Sequence, residues 1–338
     1  MTPGQRAHGS APGRAAPNDG RGSPCRCKLR LPLIGAPMFI VSGPELVTAQ
    51  CKAGIVGAFP ALNARPQEVL VDWIRQIREE SAAHAESRPD DPVAPFAVNQ
   101  IAHPSNTRLL ADMEVCVREE VPIIITSLNP PKDIVEAVHA YGGLVFHDII
   151  NIRHARKAIE QGVDGIIAVC AGAGGHAGTF SPFALAGEIR KEFDGCLILS
   201  GCISRGDDVL AATAMGADLA YSGTRFIASK EAHAMPEYKE MIVDSAAADV
   251  VYSSYFTGVN GNYLAGSIAN AGMDPDNLPE GSKEAMDFAK KADVAKAWKD
   301  IWGAGQGVGN IDDIQPARDI VMRMEREYRE ALARVSGQ

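Results

Sequence analysis

The sequence predicts an α/β protein, a (β/α)8 TIM barrel with a small, mostly helical insertion after strand eight. Three observations predict it. Short apolar runs alternate with amphipathic stretches eight times between Leu31 and Phe226, and a regular strand–helix alternation gives a parallel sheet. The runs are apolar nearly throughout, as strands covered on both faces are. Finally, a barrel takes about 250 residues, and 338 residues leave room for an insertion. The rival arrangement is an open, doubly wound sheet.

The elements follow in order. Leu31–Met38 reads as strand one, followed by a helix over Pro44–Ala53 that Gly54 stops. Strand two is Ile55–Ala61 and its helix Pro66–Ala85; strand three is Pro95–Ala102 and its helix Ser105–Glu119. Ile123–Leu128, nearly all β-branched, is strand four. Its helix, Pro131–Tyr141, carries proline early, where a missing N–H is harmless. Leu144–Ile150 is strand five, and its helix Ile152–Gln161 ends at Gly162. Gly165–Cys170 with Pro182–Phe193, Cys196–Ile203 with Asp207–Met215, and Leu219–Phe226 supply strands six to eight. Residues 229–304 break the rhythm with helical stretches, a Gly258–Asn262 turn cluster and an Asp274–Gly281 linker. Ile314–Val335 returns as an amphipathic helix with Glu and Arg at i,i+4 spacings. The expected division is a disordered tail over 1–28, a barrel over 29–228 plus 305–338, and a small substrate or lid domain over 229–304.

Composition narrows the function classes. A net charge of −9 argues against a general nucleic-acid binder, which shows a basic face. No apolar stretch approaches the ~18 residues a membrane span requires. Seven cysteines stand at 25, 27, 51, 116, 170, 196 and 202, an odd count without a CxxC pair. Cys196 and Cys202 lie in an apolar run that suits buried thiols. The pattern predicts a reduced, cytoplasmic protein without a structural zinc. The first 27 residues are rich in Gly, Pro, Ala and Arg and lack the apolar segment of a secretory signal.

In barrels of this kind the chemistry sits at the C-terminal ends of the strands. Strand one exits through Gly35-Ala36-Pro37-Met38, small enough for a flat ring to approach or simply a tight exit. Strand six exits through Cys170-Ala171-Gly172-Ala173-Gly174-Gly175-His176-Ala177-Gly178-Thr179. A histidine in such a pliable loop has few packing reasons to be there, which makes His176 a catalytic or substrate-binding candidate. The same glycines are also fit to cradle a phosphate. Strands seven and eight exit through Ser200-Gly201-Cys202 and Ser222-Gly223-Thr224-Arg225-Phe226, the paired turns with which many barrels hold a phosphate. Arg225 either faces that phosphate or pairs with an acid. Asn99 lies near the end of strand three and can hydrogen-bond a cofactor ring. Thr126-Ser127 and His147-Asp148 lie near the mouth; a histidine within an apolar strand is more often a packing residue. His103 is open in the same way, whereas His8, His84, His139, His154 and His233 read as tail or surface. HExxH, a Walker loop, a Cys/His metal cluster and GxSxG are all absent from the sequence, so no metal is expected.

Gly35–Met38, Asn99, Gly174–Gly178, Ser200-Gly201, Gly223–Phe226 and Ala304–Gly309 together resemble the nitronate monooxygenase family, formerly 2-nitropropane dioxygenase, from about Leu31 to Leu332. The GGHxG loop with the GTRF turn is specific for this group and its near relatives. The resemblance implies an FMN-bound barrel with a small substrate domain. It implies that Ala36, Pro37 and Met38 border the isoalloxazine and that Asn99 binds the ring. Gly174 and Gly175 of the loop, with Ser200, Gly201, Gly223 and Thr224, would hold the cofactor and its phosphate, while Gln306 and Gly307 close over it. His176 would face the flavin and the substrate. The implied reaction is oxidation of alkyl nitronates, or of nitroalkanes, with O2 to carbonyl compounds and nitrite; a homodimer is an assembly left open. Two departures stand out: many members carry lysine where Asp148 stands and an acid in the stretch Val169–Gly172. The alternatives are an NAD(P)H-dependent flavin reductase of the enoyl-acyl-carrier or quinone type, and a sugar-phosphate barrel without redox chemistry.

Overall fold

The computed structural model describes residues 29–129, 132–281 and 300–337. The expected tail, Cys25 and Cys27, the proline expected to open helix four and part of the expected insertion lie outside the described residues.

Eight parallel strands close the barrel: β1 (Leu33–Gly35), β2 (Val56–Pro60), β3 (Phe96–Ala102), β4 (Ile123–Leu128), β5 (Leu144–Ile149), β6 (Gly165–Val169), β8 (Cys196–Ser200) and β9 (Leu219–Ser222). The short β7 (Gly175–His176) lies in the loop between β6 and β8. Pairing of Leu33 with Ala220 joins the last strand to the first, which excludes the open sheet. Around them run α1 (Pro44–Lys52), α2 (Val69–Ser87), α3 (Leu109–Arg118), α4 (Lys132–His139), α5 (Ile152–Glu160), α6 (Pro182–Arg190), α7 (Gly206–Ala214) and α8 (Thr224–Ile227).

Alternate residues of each strand face opposite sides. The inward set, including Ile34, Ala58, Ala97, Ile125, Phe146, Ile167, Ile198 and Tyr221, fills the barrel. The outward set, including Leu33, Phe59, Val98, Ile124, Val145, Ile166 and Leu197, packs against the helices. Both faces are therefore buried, which is why the runs lack polar alternation. The last helix, α11 (Ala317–Ser336), buries Ile320, Val321 and Met324 and lies on α7. A Cβ at Gly206 would stand 2.0 Å from the Met324 carbonyl oxygen, so glycine there sets how closely the two helices approach.

The strands are shorter than their apolar runs. Strand seven was expected to reach Ile203, but it ends at Ser200 and turns at Gly201, whose φ is +131°. Thr224–Phe226, expected to end strand eight, belong instead to the helical turn α8. Apolar residues beyond a strand end still face the core, so hydrophobicity overruns the ladder. Cys196 is also a correction, because it is disulfide-bonded where a wholly reduced chain was expected. It opens β8 at the N-terminal end of the barrel, in the cluster against which Leu29 packs; such juxtapositions do not show in spacing. Cys51, Cys116, Cys170 and Cys202 are free.

After α8 come α9 (Pro236–Asp244), β10 (Val250–Ser253), β11 (Gly261–Leu264) and α10 (Ala265–Asn270). Beyond the expected helices, this segment holds a ribbon: β10 pairs antiparallel with β11, and β11 pairs with β7, Gly261 opposite His176. Among the described residues, no helix is long and apolar enough to cross a membrane.

Candidate functional site

Two residues beyond the inward layer of Ile34, Ala58, Ala97, Ile125, Phe146, Ile167, Ile198 and Tyr221, each strand contributes one more inward position. These are Ala36, Pro60, Asn99, Ser127, Asp148, Val169, Ser200 and Gly223, and all eight line a cavity of about 750 Å³ at the C-terminal mouth. The period-two alternation that fills the barrel thus also floors the site.

Of the residues the sequence singled out, Ala36, Pro37, Met38, Asn99, Gly174, Gly175, His176, Ser200, Gly201, Gly223, Thr224 and Gly307 line this cavity together. Gln306 does not. Its backbone N–H donates to the Gly172 carbonyl at 2.9 Å, and the Gly305 N–H donates to Thr224 Oγ1 at 2.9 Å, so the returning chain is tied to both glycine loops. The approach is close enough to require glycine: a Cβ at Gly174 would lie 2.8 Å from the Gly305 nitrogen.

His176 is held by the ribbon. Its Nε2 lies 2.9 Å from Thr257 Oγ1, and that hydroxyl donates to the Val259 carbonyl at 3.0 Å. The pair ties the imidazole to the ribbon, whichever of the two atoms donates. Burial pushes the ring's pKa down to about 4, so His176 is neutral at physiological pH. Asn262 Nδ2 donates to the Ala173 carbonyl at 2.7 Å, and Tyr252 Oη to that of Ala177 at 3.1 Å. These bonds fix both flanks of the loop.

On the floor, Asn99 Nδ2 donates to Ser127 Oγ at 3.0 Å, and Ser127 Oγ donates to Asp148 Oδ2 at 2.7 Å. Asp148 Oδ1 is buried without a hydrogen-bond partner among the described residues. Desolvation pushes this carboxyl up to about 6.

Several candidates fall elsewhere. His147 points outward, buried with Nδ1 2.8 Å from Thr126 Oγ1, and its pKa is pushed down to about 4 by burial. His103 bonds Ser105 through Nδ1 at 2.7 Å and does not line the cavity. Arg225 faces away from the cavity and donates to Asp313 Oδ1 at 2.7 Å and to its carbonyl at 3.0 Å, which decides between its two readings. Phe256 and Tyr263 meet edge to face in the insertion's own core, with exposed Tyr255 edge-on to Phe256. The aromatic side chains lining the cavity are Phe39, Trp73, Tyr221, Tyr238 and Trp302, the last two stacked at 4.9 Å. His233, expected at the surface, is half-exposed yet also lines the rim, its Nε2 3.0 Å from Glu45 Oε2. Ser127 and Asp148 stand on the cavity floor, a place that counting by twos from Ile125 and Phe146 gives for both.

Comparison with known proteins gives a family and a fold. The family model described as "Nitronate monooxygenase" matches residues 26–327. A nitronate monooxygenase of Paraburkholderia phytofirmans is 28% identical, over 89% of this chain and 93% of its own. Among solved structures, a nitroalkane oxidase from Streptomyces ansochromogenes is 22% identical with a TM-score of 0.74, covering 91% of this chain and 98% of its own. FabK from Thermotoga maritima is 24% identical with a TM-score of 0.72, covering 91% and 96%. The two structures bear on the fold alone. A match over nearly the whole described barrel, His176 loop included, means that this chain belongs to the nitronate monooxygenase family.

Proposed function

We propose that the protein binds FMN in this cavity and oxidises alkyl nitronates with O2 to carbonyl compounds and nitrite. The observation that carries the reading is the meeting of the His176 loop with the two glycine turns after β8 and β9 around one cavity. The residues fit the cofactor. A Cβ at Gly223 would meet only ordinary contacts, 3.5 Å from the Ala36 side chain and 3.6 Å from Met38 Sδ, so packing does not demand glycine there. It would, however, project among the residues that line the cavity, where the cofactor needs the room. Ser200, Gly201, Gly223 and Thr224 would hold the phosphate, with Ala36, Pro37, Met38 and Asn99 beside the ring. Gly174, Gly175 and Gly307 would close the cradle, Gln306 acting through its bond to the Gly172 loop.

When bound, FMN supplies the redox chemistry that carries electrons from the nitronate to O2. The chain's own part is to place and shield the anion. Neutral His176, tied to Thr257 and lining the cavity, presents its ring to the substrate and is the group that would accept the α-proton of a neutral nitroalkane. A substrate already ionised needs from it only position and a polar contact. Residues 229–304 serve as the substrate domain, with Tyr238 and Trp302 shedding water from the outer cavity.

The test is anaerobic. FMN-loaded protein is mixed with an alkyl nitronate in one cell and with NADH or NADPH in another, and the visible spectrum is followed. Bleaching by the nitronate with inert pyridine nucleotides is the expected result. Fast bleaching by NAD(P)H alone would replace this reading with a reductase. His176→Ala should keep the yellow cofactor and lose at least about tenfold in turnover; unchanged turnover would remove His176 from catalysis.

A further inference from the structure

Asp148 is the acid of the barrel floor, and nothing in the reaction described so far uses it. Its surroundings are set by geometry. From β4, Ser127 donates to Oδ2 at 2.7 Å. From β6, Val169 brings no charge. Across the barrel stands Tyr221, whose phenol is held protonated by burial and by Asp148 itself. Above lies His176, neutral by burial; the one fixed cation lining the cavity, among the described residues, is Arg65, with His233 at the rim. Oδ1 has no partner among the described residues. A buried oxygen in that state favours the protonated carboxyl over the carboxylate.

We propose that Asp148 is the proton-holding residue of this site: when negative charge enters the cavity above it, by reduction of the cofactor, the Asp148 carboxylate takes up one proton, and it releases that proton when the charge leaves. The inference rests on the flavin reading of the cavity. The sign follows from the carboxyl's position at about 6 with the cavity free of added charge. Above that pH the group starts ionised, and a nearby negative charge raises its affinity for a proton. Below it the group is already neutral and has nothing to take up. No cation at this position compensates the charge on the cofactor, so the proton does.

The experiment is spectroelectrochemistry of the FMN-loaded protein between pH 5 and pH 8. The wild type should show a break near pH 6, above which its midpoint potential falls more steeply than that of Asp148→Asn. The excess corresponds to one proton per two electrons, a further tenfold in the equilibrium per pH unit, or about 30 mV. Below the break the two curves should run parallel. Ser127→Ala keeps the carboxyl but removes the bond that favours its ionised form, so its break should move to higher pH; this arm stands even where Asp148→Asn does not fold. Coincident slopes for wild type and Asp148→Asn, or a wild-type curve without a break, would overturn the proposal. A protein that takes up no FMN would instead overturn the flavin reading and this inference with it.

Discussion

His176 owes its orientation to a residue 81 positions away, Thr257. The bond crosses from the glycine loop to the ribbon, where Thr257 is itself 4% exposed. Thr257→Val keeps the shape and removes the hydroxyl. Losing one hydrogen bond of about 1–2 kcal/mol in a site that must be held in register should lower kcat/KM for the nitronate roughly tenfold while FMN binding stays unchanged, and Thr257→Ser should restore most of it. Oxygen consumption and flavin fluorescence measure the two quantities; a valine variant with wild-type kinetics would show that the ring is positioned otherwise. His176 was legible in the sequence because a histidine among glycines at a strand exit has little packing to do. Thr257 was not, because nothing in its neighbours tells which loop the ribbon will meet.

The functional elements are turns, and their glycines do different work. At Gly223 the backbone has φ −107°, open to any residue, and the nearest contacts to a new Cβ are 3.5 Å or more. Gly223→Ala should therefore fold with a stability change under about 1 kcal/mol and yet bind FMN at least about tenfold more weakly. At Gly174 the same Cβ would press on the Gly305 nitrogen at 2.8 Å and on Thr224 Oγ1 at 3.1 Å. Gly174→Ala should cost about 1–3 kcal/mol of stability by prying the returning chain from the loop. Thermal melts beside fluorescence titrations separate the cases, and equal affinities in Gly223→Ala and wild type would remove that turn from the cradle. Strand centres were legible here because both their faces are buried. Strand ends were not: Ile203 and Phe226 stay apolar beyond the ladder because the core extends past the last paired residue.

Across the molecule, buried titratable groups set the response to acid. His147 and His176 are held neutral, each pushed down to about 4, whereas an unfolded chain protonates histidine near 6.5. Stability is therefore lost as pH falls from about 6.5 towards 4, because the unfolded chain binds the extra protons first. Asp148, raised to about 6, opposes this below pH 6 by binding a proton in the folded state. The net loss should be about 1 kcal/mol per pH unit, allowing for solvent reaching the cavity. Melts of the cofactor-free protein should fall in Tm from pH 6.5 to 4.5, and His147→Gln should flatten the curve; a flat wild-type profile would contradict the buried neutral histidines. At this scale the division between sequence and structure is plain. The sequence by itself determined the eightfold alternation, the apolar strand runs, the glycine turns and His176, because each is a local pattern with a local physical cause. Only the tertiary structure decided that Arg225 turns to Asp313, that Asp148 closes the floor, that Cys196 is bonded and that Thr257 holds His176. These depend on which distant residues barrel closure brings within a few ångströms, and no local pattern encodes that.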